Sequence, residues 1–321
     1  MTNVPVTPGN LAQPESSAWP QRLRRFFSPT LATDGDAAST GVVNMQVWLD
    51  QAIWRPAGFW AFAGGLLAAG VLRQPGDLNW QALALLAILV DPLWGSIWRL
   101  AGGRRALLAL PPADKDFAPP PGVTLPYLQP GSPAARLLAG DHTDIWPSAL
   151  RVGAPAVVLA VLVAALLGVY AIGLTLAVVV LAALGWTVRR TSGYSALLLQ
   201  SIVAIGLPWL LTVQQTQQVQ EDINWLPQLL LAGAWVLHQW GGLRNGQGRD
   251  WLGLAALAAA QVLMAALLVF VQAPLWLAPL ALLLLPTWLL AYQQMPLRRL
   301  RIAWLAAMLL SALALGQTVG G

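Results

Sequence analysis

The stretch WLGLAALAAAQVLMAALLVF, residues 251–270, followed after Val271-Gln-Ala-Pro274 by LWLAPLALLLLPTWLLAY, residues 275–292, decides the class of this chain. No charged side chain occurs between Asp250 and Arg298. A helix rising about 1.5 Å per residue needs about 17–25 apolar residues to cross the hydrocarbon of a bilayer. The stretch therefore reads as two spans broken at Gln272, Ala273 and Pro274, or as one over-long helix. The same pattern recurs through the sequence. Of 321 residues, 57% are apolar and 10% charged, whereas a soluble domain carries about 25% charged residues. Mean hydropathy is +0.61. So few charges cannot cover a water-facing surface, and the fold class is an all-α, polytopic membrane protein. The absence of cysteine excludes disulfides, thiolate metal sites and a cysteine nucleophile, and 2 histidines exclude a multi-histidine metal centre. The partner this implies is the lipid bilayer, not nucleic acid.

Working outward, the apolar runs give about nine spans: 56–73, 79–98, 152–169, 172–188, 194–213, 225–240, 251–271, 274–292 and 300–316. Residues 152–188 pose the same question as 251–292, with a possible turn near Gly168 to Gly173. Charge placement decides both. With nine spans, all of the 18 Lys and Arg residues except Arg73 fall on one side. The positive-inside rule then puts the N-terminus in the cytoplasm and the C-terminus outside, in a cell's inner membrane. Tryptophans at many span ends, among them Trp80, Trp98, Trp186, Trp225, Trp251, Trp276 and Trp304, suit an aromatic belt.

Residues 1–50 are rich in Pro, Ser, Thr, Asn, Asp and Gly, without a signal-peptide pattern, and read as a disordered cytoplasmic tail. Within it Trp19, Leu23, Phe26 and Phe27 alternate with Arg22, Arg24 and Arg25, a mix suited to a short helix on an anionic membrane surface. Residues 51–321 form the transmembrane domain, with a long cytoplasmic loop at 99–151. The glutamines Gln214, Gln215, Gln217, Gln218 and Gln220 read as a solvated outer loop.

Few residues carry chemistry. Asp91 lies in apolar sequence, where an ionisable group is a functional hypothesis by default; the plainer reading makes it the cap of a helix starting at Pro92. His238 could ligate the metal of a chlorin or haem, or be an interfacial histidine bonded to a carbonyl. The run Gly241-Gly-Leu-Arg-Asn-Gly-Gln-Gly-Arg249 is either an anion-friendly loop or a basic turn between helices. Arg189, Arg190, Tyr194 and Gln200 form a further polar cluster, which could share one cytoplasmic mouth with Asp91 and residues 238–250.

The arrangement resembles the UbiA-type intramembrane prenyltransferases. Trp48-Leu-Asp-Gln-Ala-Ile-Trp-Arg-Pro56 stands where that family enters its first helix. Asp91-Pro-Leu-Trp-Gly-Ser-Ile-Trp-Arg99 stands at its first Asp-rich motif, and His238-Gln-Trp-Gly-Gly-Leu-Arg-Asn-Gly-Gln-Gly-Arg-Asp250 at its second. The resemblance implies a nine-helix UbiA-like bundle and Mg²⁺ on Asp91 and Asp250 with Asn245 beside them. Arg244 and Arg249 would lie on a diphosphate. It also implies a cavity for an isoprenoid-type ligand, a quinone or a chlorin. Trp94, Gly95 and Trp98 stand where further carboxylates belong, and Asp114, Asp116, Asp141 and Asp144 in the long loop have no specific spacing. Metal-assisted departure of a diphosphate needs several converging oxygen ligands. The sequence therefore favours a non-catalytic binding or structural subunit of a membrane complex. An active Mg²⁺-dependent prenyltransferase is the alternative. A transporter is disfavoured because spans three, seven and nine have almost no polar side chains.

Overall fold

The structure, a computed structural model, describes residues 58–73, 79–101, 153–188, 193–217, 224–295 and 297–318. Among these every regular element is helical. In chain order they are α1 (Gly58–Ala68), α2 (80–101), α3 (Ala154–Leu167), α4 (Val169–Val188), α5 (193–217), α6 (Trp225–Asn245), α7 (Trp251–Phe270), α8 (Leu277–Tyr292) and α9 (Leu297–Thr318). Among the described residues, 6 helices are long and apolar enough to cross a membrane, which is the make-up of a multi-pass membrane protein. They lie in α2, α4, α5, α7, α8 and α9, whereas α1 and α3 are apolar but shorter. Helix α6 is long but carries Gln228, His238, Gln239, Arg244 and Asn245. The N-terminal tail, its amphipathic piece and nearly all of the 99–151 loop lie outside the described residues.

Both ambiguous stretches break. Gly168 separates α3 from α4 with φ 110° and ψ 180°, a backbone region open essentially to glycine alone. Helix α7 ends in a left-handed Gln272 (φ 60°). There Ala273 N–H donates to Leu268 O at 2.8 Å, and a 3₁₀ turn at Pro274–Trp276 leads into α8. Gln294 closes α8 in the same way, with Met295 N–H on Leu290 O at 3.0 Å.

Two helices widen into π turns, Leu89–Leu93 in α2 and Ile202–Gly206 in α5. Proline explains both. A proline ring collides with the carbonyl four residues earlier and donates no hydrogen bond, and an extra residue in the turn relieves that conflict. Pro92 lies inside the first π turn, and Pro208 has its fourth preceding residue, Ala204, inside the second. Four residues beyond each proline a hydroxyl bonds back to its carbonyl: Ser96 to Pro92 at 2.6 Å and Thr212 to Pro208 at 2.7 Å.

Helix α1 packs against both π turns and against α9. Its glycines make the fit. A Cβ on Gly58 would stand 2.4 Å from Val90 O, and one on Gly64 would stand 2.7 Å from the Trp209 ring. At its first turn, Phe59 N–H donates to Asp91 Oδ1 at 3.3 Å. At its last, Ala68 O accepts from Gln228 Nε2 at 2.7 Å, while Gln228 Oε1 accepts from Trp209 Nε1 at 3.3 Å. The other short helix is treated alike: Gln215 Nε2 donates to Leu167 O at 2.9 Å, at the end of α3. Eleven residues rise only about 16 Å, so backbone groups at such ends would face hydrocarbon, where an unsatisfied one is costly. Side chains reaching from longer helices remove that cost.

These contacts correct three expectations. Asp91 does not cap a helix beginning at Pro92; α2 runs through that proline, and Asp91 caps α1 from across the interface. Gln214 to Gln217 belong to α5 and not to a loop, with Gln215 bonded as above. The belt is incomplete: Trp80 and Trp251 are exposed, but Trp98, Trp186 and Trp304 are buried in the bundle. Arg73, the one basic residue expected on the opposite side, donates to Gln317 O near the end of α9, where a cation suits the helix C-terminus.

The buried apolar residues form two clusters. One gathers α2, α3, α4 and part of α5; the other gathers α6 to α9. Helices α1 and α5 contribute to both.

Candidate functional site

The α6–α7 connection holds most of the residues singled out in the sequence. Arg244 Nε forms a salt bridge with Asp250 Oδ2 across it, while Asp250 Oδ1 accepts from Leu252 N–H at 3.2 Å as the N-cap of α7. Both carboxylate oxygens are thus engaged. The Arg244 guanidinium also lies 5.1 Å from the Trp240 ring centroid. Asn245 is likewise occupied: its Nδ2 donates to Ala291 O at 2.8 Å and its Oδ1 accepts from Gln294 Nε2 at 3.0 Å. Arg249 sits over the Tyr292 ring at 4.7 Å, and Tyr292 stacks on Trp288 at 6.1 Å. The loop ties the ends of α6, α7 and α8 together.

The hydrogen bond from Arg244 holds the Asp250 carboxyl below its ordinary value, with the N-cap bonds adding to the effect. A lowered folded value means the unfolded chain takes up protons first as pH falls. The stabilisation is therefore complete above the unfolded value near pH 4 and disappears as pH drops through the folded value. Asp250→Asn should be less stable than the parent at pH 7, and the gap should close on acidification; thermal unfolding in detergent at pH 7, 5 and 3 would measure it. A constant gap would mean that the Arg244 pair contributes nothing.

Asp91 is buried on α2 beside Leu89, Val90 and Leu93, which belong to the cluster of α2 to α5. Asp91 and Asp250 are the only carboxylate side chains among the described residues. One is bonded to α1 and the other to Arg244 and α7. Asn245 and Asp250 share the α6–α7 connection, whereas Asp91 lies on α2. Among the described residues no group of three or more His, Asp or Glu could hold a metal ion. Arg189 and Arg190 lie outside the described residues, as does the side chain of Tyr194; Gln200 is half-buried on α5.

His238, expected either as a metal ligand or as an interfacial histidine bonded to a carbonyl, lies inside the bundle. It is 1% exposed and stands between two indoles, with centroids 5.0 Å from Trp235 and 4.9 Å from Trp304. Its Nε2 has no hydrogen-bond partner, nor has Trp304 Nε1. Gly242 admits Trp304: a Cβ there would lie 2.9 Å from the ring. Trp235 Nε1 is satisfied by Ser311 Oγ at 3.0 Å.

Sequence reasoning missed Gln228, Trp209, Ser311 and Thr175, which accepts from Trp94 Nε1 at 3.0 Å. A glutamine, serine or threonine inside an apolar run was the available signal. No known protein family, curated protein or solved structure matches the chain.

Proposed function

We propose that the chain is a nine-span, UbiA-like protein of a cell's inner membrane, with its N-terminus in the cytoplasm and its C-terminus outside. It holds an isoprenoid lipid, quinone or tetrapyrrole and serves as a non-catalytic binding or structural subunit of a membrane complex. One observation carries the non-catalytic part. The residues standing at the second metal motif, Asn245 and Asp250, have their polar atoms engaged by Ala291, Gln294, Arg244 and Leu252. A diphosphate-bound cation would have to compete with those bonds for the lone pairs of the same oxygens. The nine-span topology draws support from the breaks at Gly168 and at 271–274, which keep the basic clusters on one side. It also draws support from Arg73, whose exception has a structural reason.

The test is gentle purification in mild detergent, followed by mass spectrometry and absorption spectroscopy of what accompanies the protein. Other subunits or a bound lipophile, with no Mg²⁺-dependent consumption of a prenyl diphosphate, is the expected result. A lone protein that consumes prenyl diphosphate only with Mg²⁺, and loses this with Asp91→Ala and Asp250→Ala, would replace this reading with the prenyltransferase one.

A further inference from the structure

Among the buried nitrogens without a hydrogen-bond partner, Trp98 Nε1 and Trp186 Nε1 are scattered at helix ends, but His238 Nε2 and Trp304 Nε1 belong to rings in direct contact. The contact is edge to face, with the planes 89° apart. An N–H resting on the neighbouring π face satisfies at most one of the two groups, because only one ring presents its face; such contacts are weak in any case. Ser311 Oγ already takes the Trp235 donor and itself donates to Met308 O at 2.9 Å. The pair lies between α6 and α9, away from bulk water, and two unsatisfied polar groups there cost about 1–3 kcal/mol each.

We infer that His238 and Trp304 are the polar recognition point of a binding site for a neutral, membrane-soluble molecule that presents a carbonyl oxygen to them. The chemistry follows from the two groups. An indole N–H only donates, and a neutral imidazole can donate from Nε2, so one carbonyl oxygen with two lone pairs serves both. An anion is disfavoured: the nearest guanidinium along α6, that of Arg244, is held by Asp250, and an uncompensated charge at this depth costs several kcal/mol. Trp235, whose ring centroid lies 5.0 Å from the imidazole, adds an apolar wall. This inference rests on the proposed reading of the bundle as a ligand holder and names the group recognised.

The 2 histidines make the test direct. In the full chain carrying His142→Gln and ¹⁵N-labelled histidine, every imidazole signal comes from His238. The delipidated protein in micelles is titrated with a decyl-substituted benzoquinone, with dioleoyl phosphatidylcholine and with undecane. Saturable movement of the Nε2 resonance with a carbonyl-bearing probe, and none with undecane, is expected. Response to the quinone alone identifies a ketone-type ligand; response to the phospholipid alone identifies an ester. Trp304→Phe should weaken the response about tenfold, the worth of one hydrogen bond of about 1.4 kcal/mol. If that variant does not fold, the parent titration still decides. An Nε2 resonance that ignores both carbonyl probes, moves equally with undecane or exchanges its proton with a buried water overturns the inference. A lipophile that co-purifies while the imidazole stays silent would sink this site and leave the proposed function standing.

Discussion

Gly316→Ala is expected to detach α9 from α1 and to be among the most damaging single substitutions in the chain. A Cβ at this position would stand 1.9 Å from Leu67 O, 3.0 Å from Leu67 C and 3.1 Å from Gly70 N. All three are main-chain atoms, so no rotamer change makes room and a helix must move. Overpacking typically costs about 1–3 kcal/mol and sometimes more; a clash with rigid backbone belongs at the upper end. The next residue, Gln317, accepts from Arg73, and that contact would be strained as well. Gly173→Ala and Gly233→Ala are the controls, since a Cβ at either meets nothing within 4 Å. They should match the parent or gain up to about 1 kcal/mol from helix propensity. Unfolding in mixed micelles would measure all three. A Gly316→Ala protein as stable as the controls would mean that the α1–α9 contact is not formed in the membrane.

Gln228→Leu should follow closely. The buried amide serves two groups at once, accepting from Trp209 Nε1 and donating to Ala68 O. Leucine keeps the volume and orphans both. Leaving a buried polar group unsatisfied costs about 1–3 kcal/mol, while bonds between membrane helices average only about 0.6 kcal/mol. The two together place the loss at about 1–4 kcal/mol. A double-mutant cycle separates the contributions. On a Trp209→Phe background only the Ala68 carbonyl is orphaned, so Gln228→Leu should cost less there by about one bond. Strict additivity would show that Trp209 and Gln228 do not interact.

The class of fold was legible because hydrophobic runs of span length leave few alternatives. Both helix breaks could be located from Gly168 and Pro274, and the charge pattern chose them before any geometry. The π turns were not foreseen, although Pro92 and Pro208 were visible, because a proline in an apolar run reads equally as a helix start, a kink or a widened turn. Asp91 was singled out correctly as unusual, but its partner is a backbone N–H 32 residues away, and no local pattern encodes that. The second motif fared similarly. Asn245, Arg244 and Asp250 stood out by type and spacing, yet their hydrogen bonds run to Ala291, Gln294 and α7. Residue type announces polar capacity; only packing decides whether a ligand or the protein's own backbone uses it. His238 shows the converse, since nothing in the sequence around it foretold a ring contact with Trp304.

Helix α1 sets a timetable for biogenesis. It is the first described helix to leave the ribosome, yet almost nothing that holds it has been made by then. Its amide partner comes with α2, the side chains that fill its glycine face come with α5, its carbonyl partner comes with α6, and Gly316 arrives only near the end of α9. At about 5–20 residues per second, the interval is on the order of tens of seconds. Throughout it, an apolar helix still without its partners must be sheltered at the insertion machinery or rest in the membrane unpaired. Final seating of α1 is then coupled to completion of the last helix. A chain released before α9 exists would carry an unseated first helix, a signal that quality-control proteases could read long before any binding activity is tested.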